Sequence, residues 1–351
     1  MLSPRRETIL KSIVGQYIAK ATPVSSQNIT RAGELGVSPA TIRNEMAHLA
    51  QEGYITRPHP SAGSIPLDKG YRHYVDSLGD IKLPLVEQRL ISHLFHQVES
   101  ELDEWLNLAA TITAQRAQNM ALVTTPKTEA CQFKHLELVS LRDSLVLVIL
   151  ILRSAKVKQL LITFDQVMSQ SELTIIGNKL NAMYSGLTSS QIVAKGVALP
   201  AVEQRITDCL TKVMETEDSQ EYEEPYLDGL HFTLGQPELV NNRELTLSLM
   251  ELIEQRRLLR NAIPPKLTSK GVRVIIGREN KAETIHNYSI VISQYGLPEE
   301  AVGTIGVIGP TRMPYARTIA TVGYLARVLS VLVAKLFGRQ APVTLDLDTA
   351  D

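Results

Sequence analysis

The chain is long enough for two or three globular domains, and its composition excludes an intrinsically disordered protein. It has 351 residues, of which 44% are hydrophobic and 21% are charged. The formal net charge is −1, but residues 1–79 hold nine Lys or Arg against six Asp or Glu, and the remainder holds 27 against 31. The N-terminal excess of positive charge has the sign expected of a segment that binds nucleic acid.

The sequence also predicts a cytoplasmic protein without a membrane segment, a metal or a cofactor. The most apolar run, residues 145–152, is too short to span a bilayer, and no basic leader followed by an apolar core stands at the N-terminus. Cys131 and Cys209 lie far apart and lack a CxxC motif or a nearby Cys/His cluster. We therefore expect two free thiols rather than a disulfide or a metal site.

The first elements have the order of a helix-turn-helix. Residues 3–20 predict a helix, because Ser3 can cap it, Pro4 fits its first position and apolar pairs recur every four residues. A Thr-Pro-Val segment ends this helix, and a shorter helix follows as far as Leu35. Gly36 then provides a tight turn into a third helix. This order is typical of DNA-binding helix-turn-helix domains.

The third helix is clearly delimited between residues 37 and 53. Ser38 can cap its start, Pro39 fits its first position, and Gly53 can end it. Its narrow apolar stripe, at helical spacing, consists of Ile42, Met46 and Leu49. One face of this helix is therefore expected to pack on a core.

The opposite surface of the third helix suits base recognition. Asn pairs with adenine through two hydrogen bonds, Arg pairs with guanine in the same way, and a small Ala lets the helix touch a thymine methyl. The same pattern also fits a helix face that is merely solvated. The candidate base-reading residues are Ala40, Thr41, Arg43, Asn44 and His48.

A small hairpin is predicted directly after the third helix. Residues 54–57 form a strand-like run, PHPSAG is a turn-rich tip, and residues 64–66 return. With a further helix at residues 68–78, this segment predicts a winged helix. Candidate contacts to the DNA backbone, from cap, basic and wing positions, are Ser38, Arg5, Arg31, Arg57, His59, Ser61, Ser64, Lys69 and Arg72. A solubilising surface charge is the alternative role of each Lys or Arg in this set.

The rest of the chain predicts an α+β sheet domain. A long helical pattern covers residues 84–119. Strand-like runs lie at 121–124, 133–141, 145–152, 157–164, 272–276, 289–293 and 304–308. Helical patterns lie at 172–184, 202–214, 243–263 and 314–337. Consecutive strands with short links predict an antiparallel meander, and the mixture of sheet and helices predicts the α+β class.

Three segments together resemble one protein family. The run from Pro23 to Leu78 is similar to the DNA-binding end of the HrcA family of bacterial heat-inducible transcription repressors, whose pattern includes ATIRNxM, PHxSAGRIPT and KGYRxYVD. Residues 308–315 resemble the same family's IGPTRMxY motif, and residues 236–238 its QPE segment. The chain departs from the pattern at Ser64, where Arg is usual, and at Leu67, where Thr or Ser is usual.

The resemblance implies a multidomain architecture. A winged helix-turn-helix domain would occupy residues 1–80, and a GAF-like antiparallel sheet domain with its leading helix would occupy 84–190 and 285–338. An inserted dimerisation domain would fill 191–284, and an acidic tail would follow at 339–351. The long helix of this inserted domain carries the candidate dimerisation residues, which are Leu245, Leu249, Leu252 and Ile253.

The resemblance also implies a function. It indicates a homodimer that binds double-stranded DNA at a CIRCE-type inverted repeat and represses chaperone operons of the groEL and dnaK type. It further implies that the GroEL chaperonin modulates the activity of the repressor.

Two alternatives follow from the remaining sequence. The junction from Gly309 to Arg312 could hold an anion through its free amides and its arginine, or it could be a turn with a structural arginine. A different function would be that of a metabolite-responsive winged-helix regulator with a ligand in the GAF-like domain. The sequence contains no G-x-G-x-x-G, P-loop, H-E-x-x-H or G-x-S-x-G motif, so we do not expect an enzyme.

Overall fold

The fold is known from a computed structural model that describes residues 2–31, 36–59, 62–98, 101–127, 131–142, 144–153, 157–219, 225–254, 271–298 and 300–339. The chain divides into two compact units. The main unit comprises Met1–Thr125, Glu224–Gly296 and Gly303–Asp351, and the second unit comprises Pro126–Glu223 and Leu297–Val302. The predicted acidic tail, from residue 340 onward, and the predicted end of the second helix at 32–35 lie outside the described residues.

The main unit begins with three helices. Helix α1 (Pro4–Lys20) is capped by Ser3, whose hydroxyl accepts a hydrogen bond from the backbone N–H of the first turn. The short helix α2 (Ser26–Arg31) follows. Helix α3 (Pro39–Gln51) begins at Ser38, whose hydroxyl caps it in the same way. Each helix therefore starts at the residue that the sequence indicates or close to it.

Two short strands and a helix complete this segment. Strands β1 (Ile55–Thr56) and β2 (Ile65–Pro66) pair in antiparallel fashion, and helix α4 (Asp68–Asp76) follows them. The predicted winged helix is confirmed. Its fully or almost fully buried core residues are Ile9, Leu10, Ile13, Val14, Ile29, Ile42, Met46 and Leu49.

The region predicted as one long helix forms two. Helix α5 (Leu85–Gln97) ends at Val98, which has extended backbone angles. Helix α6 (Leu102–Ala117) ends at Gln118 in the left-handed conformation, with φ 51°. Strand β3 (Met120–Val123) follows directly and is buried along its whole length. The chain therefore enters the interior of the main unit at the end of α6.

The second unit contains a three-stranded antiparallel sheet. Its strands β4 (Phe133–Arg142), β5 (Leu145–Leu152) and β6 (Val157–Thr163) pair in that order. Every second residue of β5 is buried, because one face of the sheet packs on a core. The helices after this sheet are α7 (Gln170–Tyr184), α8 (Ser189–Ala194) and α9 (Ala201–Ser219). Side chains of all three helices join that core.

The chain then returns to the main unit. The elements up to residue 254 are β7 (Tyr226–Asp228), α10 (Leu230–Leu234), α11 (Pro237–Val240) and α12 (Arg243–Glu254). Those from residue 272 onward are β8 (Val272–Ile276), β9 (Tyr288–Leu297), β10 (Ala301–Pro310) and α13 (Tyr315–Leu336). The main sheet has the order β7-β3-β10-β9-β8. The α+β fold is confirmed, whereas its likeness to a GAF domain stays a prediction.

The boundaries of the two units differ from the predicted insertion at 191–284. The sheet of β4, β5 and β6 belongs to the second unit, and residues 224–284 belong to the main unit. Strand β7 pairs with β3 across more than 100 residues of intervening chain, with Ala121 opposite Asp228. Such long-range pairing is not visible in local periodicity, and it assigns the chain after residue 224 to the main sheet.

Helix α13 is the longest and most apolar helix in the described part of the chain. Its length and hydropathy would suffice to cross a membrane, but 67% of its most apolar stretch is buried inside the protein. Buried residues on several of its faces, among them Val322, Leu325 and Leu329, contact the rest of the fold. The apolar character of α13 is therefore explained by its place in the core.

The predicted dimerisation residues of α12 lie in or against the core of the main unit. Leu249 is 0% exposed and Leu252 is 5% exposed, in a cluster with residues of β3, β9 and β10. Leu245 and Ile253 are partly buried and pack against the same cluster. This corrects the prediction for Leu249 and Leu252, because an amphipathic helix on a sheet buries the very residues that a dimer interface would need.

Replacing Leu249 with Ala is expected to lower the free energy of unfolding by about 2–5 kcal/mol, because it leaves a cavity in the core. Leu247 on the same helix is 52% exposed, so Leu247→Ala serves as the matched control and is expected to change stability by no more than about 0.5 kcal/mol. Urea denaturation measures both. An unchanged stability of Leu249→Ala together with weaker self-association would restore the dimer role.

Candidate nucleic-acid interface

Helix α3 presents a polar stripe to solvent. Ala40, Arg43, Asn44 and His48 are exposed, and Thr41 is half-buried. The hydroxyl of Thr41 lies 3.0 Å from that of the cap residue Ser38, so these two side chains contact each other at the start of the helix. The structure thus brings all five predicted base-reading residues to one end or one face of α3. Ala47 and Gln51, which are also exposed, extend the same stripe.

A pair of charged contacts fixes α3 on α1. The Arg6 Nε donates to Glu45 Oε2 at 2.8 Å, and its Nη1 donates to Glu52 Oε1 at 3.2 Å. The bond from Arg6 holds the pKa of the Glu45 carboxyl below its usual range. Because this pKa is lowered in the folded protein, the contact is present at neutral pH and is lost only as the pH falls through the acidic range. The orienting role of Glu45 is not evident from the sequence, since its partner is 39 residues away.

Several predicted backbone contacts remain available on the surface. Arg57 and His59 are exposed on the hairpin, and Arg31 is exposed at the end of α2. In the described part of the chain, Arg31, Arg43 and Arg57 form no ion pair. Arg5 is 53% exposed although its Nη1 lies 3.8 Å from Glu45. Ser61 lies outside the described residues.

Two other residues predicted to contact the DNA backbone, Lys69 and Arg72, bind acceptors within the protein instead. The Lys69 Nζ donates to the carbonyl of Glu52 at 2.8 Å and lies 4.2 Å above the ring of Tyr54, where it caps the end of α3. The Arg72 guanidinium binds Glu279 and the carbonyl of Val274. Arg72 therefore faces the main sheet, which corrects its assignment as a phosphate contact.

Ser64 is not at the surface of the wing. Its side chain is 0% exposed, and its backbone forms a two-bond bridge with Val24 that has N···O distances of 2.9 Å in both directions. This bridge ties the returning strand to the segment before α2 and turns the side chain inward. The predicted contact of Ser64 with DNA is therefore corrected to a structural role. Its hydroxyl is buried without a hydrogen-bond partner among the described residues.

The junction before α13 is occupied by protein groups. The Arg312 side chain donates to Glu238 at 2.6 Å, to the Gln236 side chain at 2.6 Å and to the carbonyl of Ile18 at 2.7 Å. Only 11% of the Arg312 side chain is exposed. The interpretation of a turn with a structural arginine is therefore the better one, and the arginine is not free to hold an anion.

Removing the hydroxyl of Ser64 is expected to leave stability unchanged or to raise it slightly, because a buried unpaired polar group is costly. Ser64→Leu at the same position is expected to cost about 1–3 kcal/mol, because it overpacks the contact with the segment before α2. Thermal unfolding of Ser64→Ala and Ser64→Leu compares the two. A marked loss of stability in Ser64→Ala would mean that the hydroxyl has a partner after all.

Comparison with known proteins shows that two protein families match this chain and together cover most of it. "Winged helix-turn-helix transcription repressor, HrcA DNA-binding" matches residues 1–76, and "HrcA protein C terminal domain" matches residues 103–319. A solved structure described as "Crystal structure of a hypothetical protein at 2.2 A resolution" has a TM-score of 0.60 and 24% identity. It covers 95% of this chain and 98% of its own, and at this identity it supports the fold alone.

Relatives that match over nearly the whole chain bear the name of the HrcA family. A "Heat-inducible transcription repressor HrcA" from Dehalococcoides mccartyi (strain CBDB1) is 54% identical over 346 residues, which are 99% of this chain and 100% of that protein. The protein of this name from Roseiflexus castenholzii is 38% identical over 346 residues, 96% of each. The resemblance predicted from the sequence is confirmed, and the family is one of transcription repressors rather than enzymes. With its winged-helix fold, the exposed polar stripe of α3 and these relatives, the chain belongs to the HrcA family of heat-inducible, DNA-binding transcription repressors.

Proposed function

We propose that this protein is a homodimeric repressor of chaperone operons of the groEL and dnaK type. Each subunit inserts α3 into a major groove of a CIRCE-type inverted repeat in the cytoplasm. The observation that carries the proposal is the polar stripe of α3, which lies opposite a fully buried apolar stripe. That stripe has the residue types that pair with base edges, and its arginine is uncommitted among the described residues.

The proposed base-reading residues have distinct roles. Arg43 suits the two acceptors of guanine, and Asn44 suits the acceptor and donor of adenine. Ala40 allows close approach and contact with a thymine methyl, while Thr41 and His48 supply further donors. All of them lie on α3 outside its buried apolar stripe, so one helix orientation serves them together.

The proposed contacts to the DNA backbone surround this helix. Ser38 lies at the N-terminus of α3, where the helix dipole favours a phosphate. Arg57 and His59 extend from the hairpin, and Arg5 and Arg31 are exposed on α1 and α2. Phosphate contacts carry no sequence information, so they supply affinity and register rather than specificity.

An apolar surface on the second unit suits the dimer contact. We call it the outer patch, and it consists of exposed or half-exposed residues of β4, β5 and β6: Val139, Leu141, Leu145, Leu147, Ile149, Ile151, Val157 and Leu161. The register aligns Val139, Leu147 and Leu161 in one row across the three strands. Leu161 is 62% exposed and Val157 is 53% exposed. Glu137 and Gln159 lie opposite Ile149 on the same face, so a polar row crosses the patch. Exposed apolar patches on soluble proteins mark contacts with other proteins, and a second copy of the chain would cover this one.

Repression by this dimer is proposed to depend on the GroEL chaperonin, which would raise the fraction of active repressor. Titration of the full chain onto a CIRCE-type repeat and a scrambled duplex, at one salt concentration and with or without GroEL, tests the proposal. We expect strong preference for the repeat and a larger active fraction with GroEL. Weak binding to both duplexes that GroEL leaves unchanged would contradict the proposed operator and its modulation.

Arg43→Ala and Asn44→Ala are each expected to weaken binding to the repeat by about 1–3 kcal/mol and to relax preference at one base pair. Competition titrations against repeats with single substitutions measure both effects. Lys335→Ala removes one positive charge, as Arg43→Ala does, but from an exposed position on α13. It is the control, for which no loss of preference is expected. Equal losses on specific and random DNA would reassign Arg43 or Asn44 to the backbone.

Leu161→Glu is expected to shift the protein from dimer to monomer, because it buries an unpaired charge within the outer patch. Ile175→Glu is the matched control, since Ile175 is 69% exposed on α7 of the same unit. Sedimentation equilibrium determines the dissociation constant of each variant. If Leu161→Glu remains as dimeric as the control, the dimer contact lies elsewhere.

A further inference from the structure

The winged helix is joined to the rest of the main unit by a polar contact at the end of α1. Arg312, just before α13, donates to the carbonyl of Ile18 on α1 while it is held by Glu238 and Gln236 beside α11. Since Arg312 is only 11% exposed, these charge-assisted bonds are largely shielded from solvent. The IGPTRM and QPE motifs thus meet at the last turn of α1.

A second polar contact joins α4 to the end of β8. Arg72 donates to Glu279 through its Nε and its Nη2, and the Nη2 also donates to the carbonyl of Val274 at 2.8 Å. Asp68 accepts a hydrogen bond from the backbone N–H of Arg278 at 2.9 Å. Burial opposes ionisation of Glu279, but the bonds from Arg72 and from the backbone outweigh it and hold the pKa of this carboxyl below its usual range.

A pair of buried rings lies at the same junction. The rings of Tyr71 on α4 and Tyr315 on α13 are 5.9 Å apart, and both residues are almost fully buried. Tyr315 is held in turn by Ser289 of β9, at 2.7 Å, and by the carbonyl of Thr311, also at 2.7 Å. Burial raises the pKa of both tyrosines above the ordinary value, so both are neutral at pH 7.

Attachment at several points removes the freedom to pivot. In the winged-helix segment, the first helix, α1, is held by Arg312. The last helix, α4, is held through its own residues Arg72, Asp68 and Tyr71. Helix α3 is fixed on α1 by the Arg6 contacts and by its buried stripe. The direction of the polar stripe of α3 is therefore determined by the sheet of the main unit and not by a flexible linker.

We propose that this junction selects the spacing between the two half-sites of the operator, with Arg72 and Arg312 as positioning residues that never touch DNA. The inference rests on the proposed function, a dimer on an inverted repeat. Each base pair added between half-sites moves one of them by about 3.4 Å and rotates it by about 35° around the duplex. A winged helix held to the main unit at several points follows that change less readily than one released from the junction.

The test uses the full chain and inverted repeats whose spacers differ from the preferred length by up to two base pairs. For the unaltered protein we expect each wrong spacer to lower affinity by about tenfold or more, comparable to a mismatched base pair. The double variant Arg72→Gln, Arg312→Gln is expected to bind all spacers within about threefold of one another, with unchanged preference for the half-site sequence. Arg317→Gln, at an exposed position of α13, is the matched control and is expected to keep the spacing preference.

A charge exchange distinguishes positioning from loss of fold. Arg72→Glu is expected to broaden the spacing preference, and adding Glu279→Arg to it is expected to restore part of the preference. Spin labels at Ala47, introduced by Ala47→Cys with Cys131→Ser and Cys209→Ser, give the distance between the two α3 helices without DNA. That distance distribution is expected to be narrow in the unaltered background and broad after Arg72→Gln and Arg312→Gln.

The outcomes separate the inference from the function on which it rests. An unaltered protein that shows no preference for any inverted repeat would contradict the proposed function and the spacing role together. Spacing preference that persists in the double variant, with an unchanged distance distribution, would overturn the spacing role while leaving the proposed function intact.

Discussion

The burial of one stripe of α3 against α1 is the constraint on which the DNA-binding face depends. Ile42, Met46 and Leu49 are 0–2% exposed, and a helix that buries one stripe must turn the opposite residues to solvent. Arg6 adds direction to this packing, because its bonds to Glu45 and Glu52 fix the rotation of α3 on α1. The polar stripe is thus positioned by residues that make no contact with DNA themselves.

Arginines of this chain differ in role because they differ in partners. Arg43 and Arg57 are exposed and, among the described residues, form no ion pair. Arg72 and Arg312 each bind a carboxylate and a backbone carbonyl, and both stabilise the junction with the main sheet. A guanidinium whose donors are already used by acceptors within the protein has little to offer a phosphate. Exposure and partners, rather than residue type, separate candidates for DNA binding from structural residues.

Local signals in the sequence predicted the local structure. The caps at Ser3 and Ser38, the apolar stripe of α3 and every strand of the two larger sheets except β7 follow from residue preferences and periodicity. The break between α5 and α6 is a local feature that the helical pattern missed. The corrected site residues depended on distant contacts. Ser64 is buried because it pairs with Val24, Leu249 is buried because α12 covers the main sheet, and Arg72 faces Glu279, 207 residues away. The unit boundary at residue 224 also depends on a distant contact, the pairing of β7 with β3.

Methylation interference on a CIRCE-type repeat tests the central claim most directly, namely that the polar stripe of α3 enters the major groove. Methylation of guanine N7 blocks the major groove, while methylation of adenine N3 blocks the minor groove. The account predicts that N7 methylation at symmetric positions of the two half-sites prevents binding of the full chain. Binding that tolerates N7 methylation throughout both half-sites, or that is blocked only by adenine N3 methylation, would contradict it.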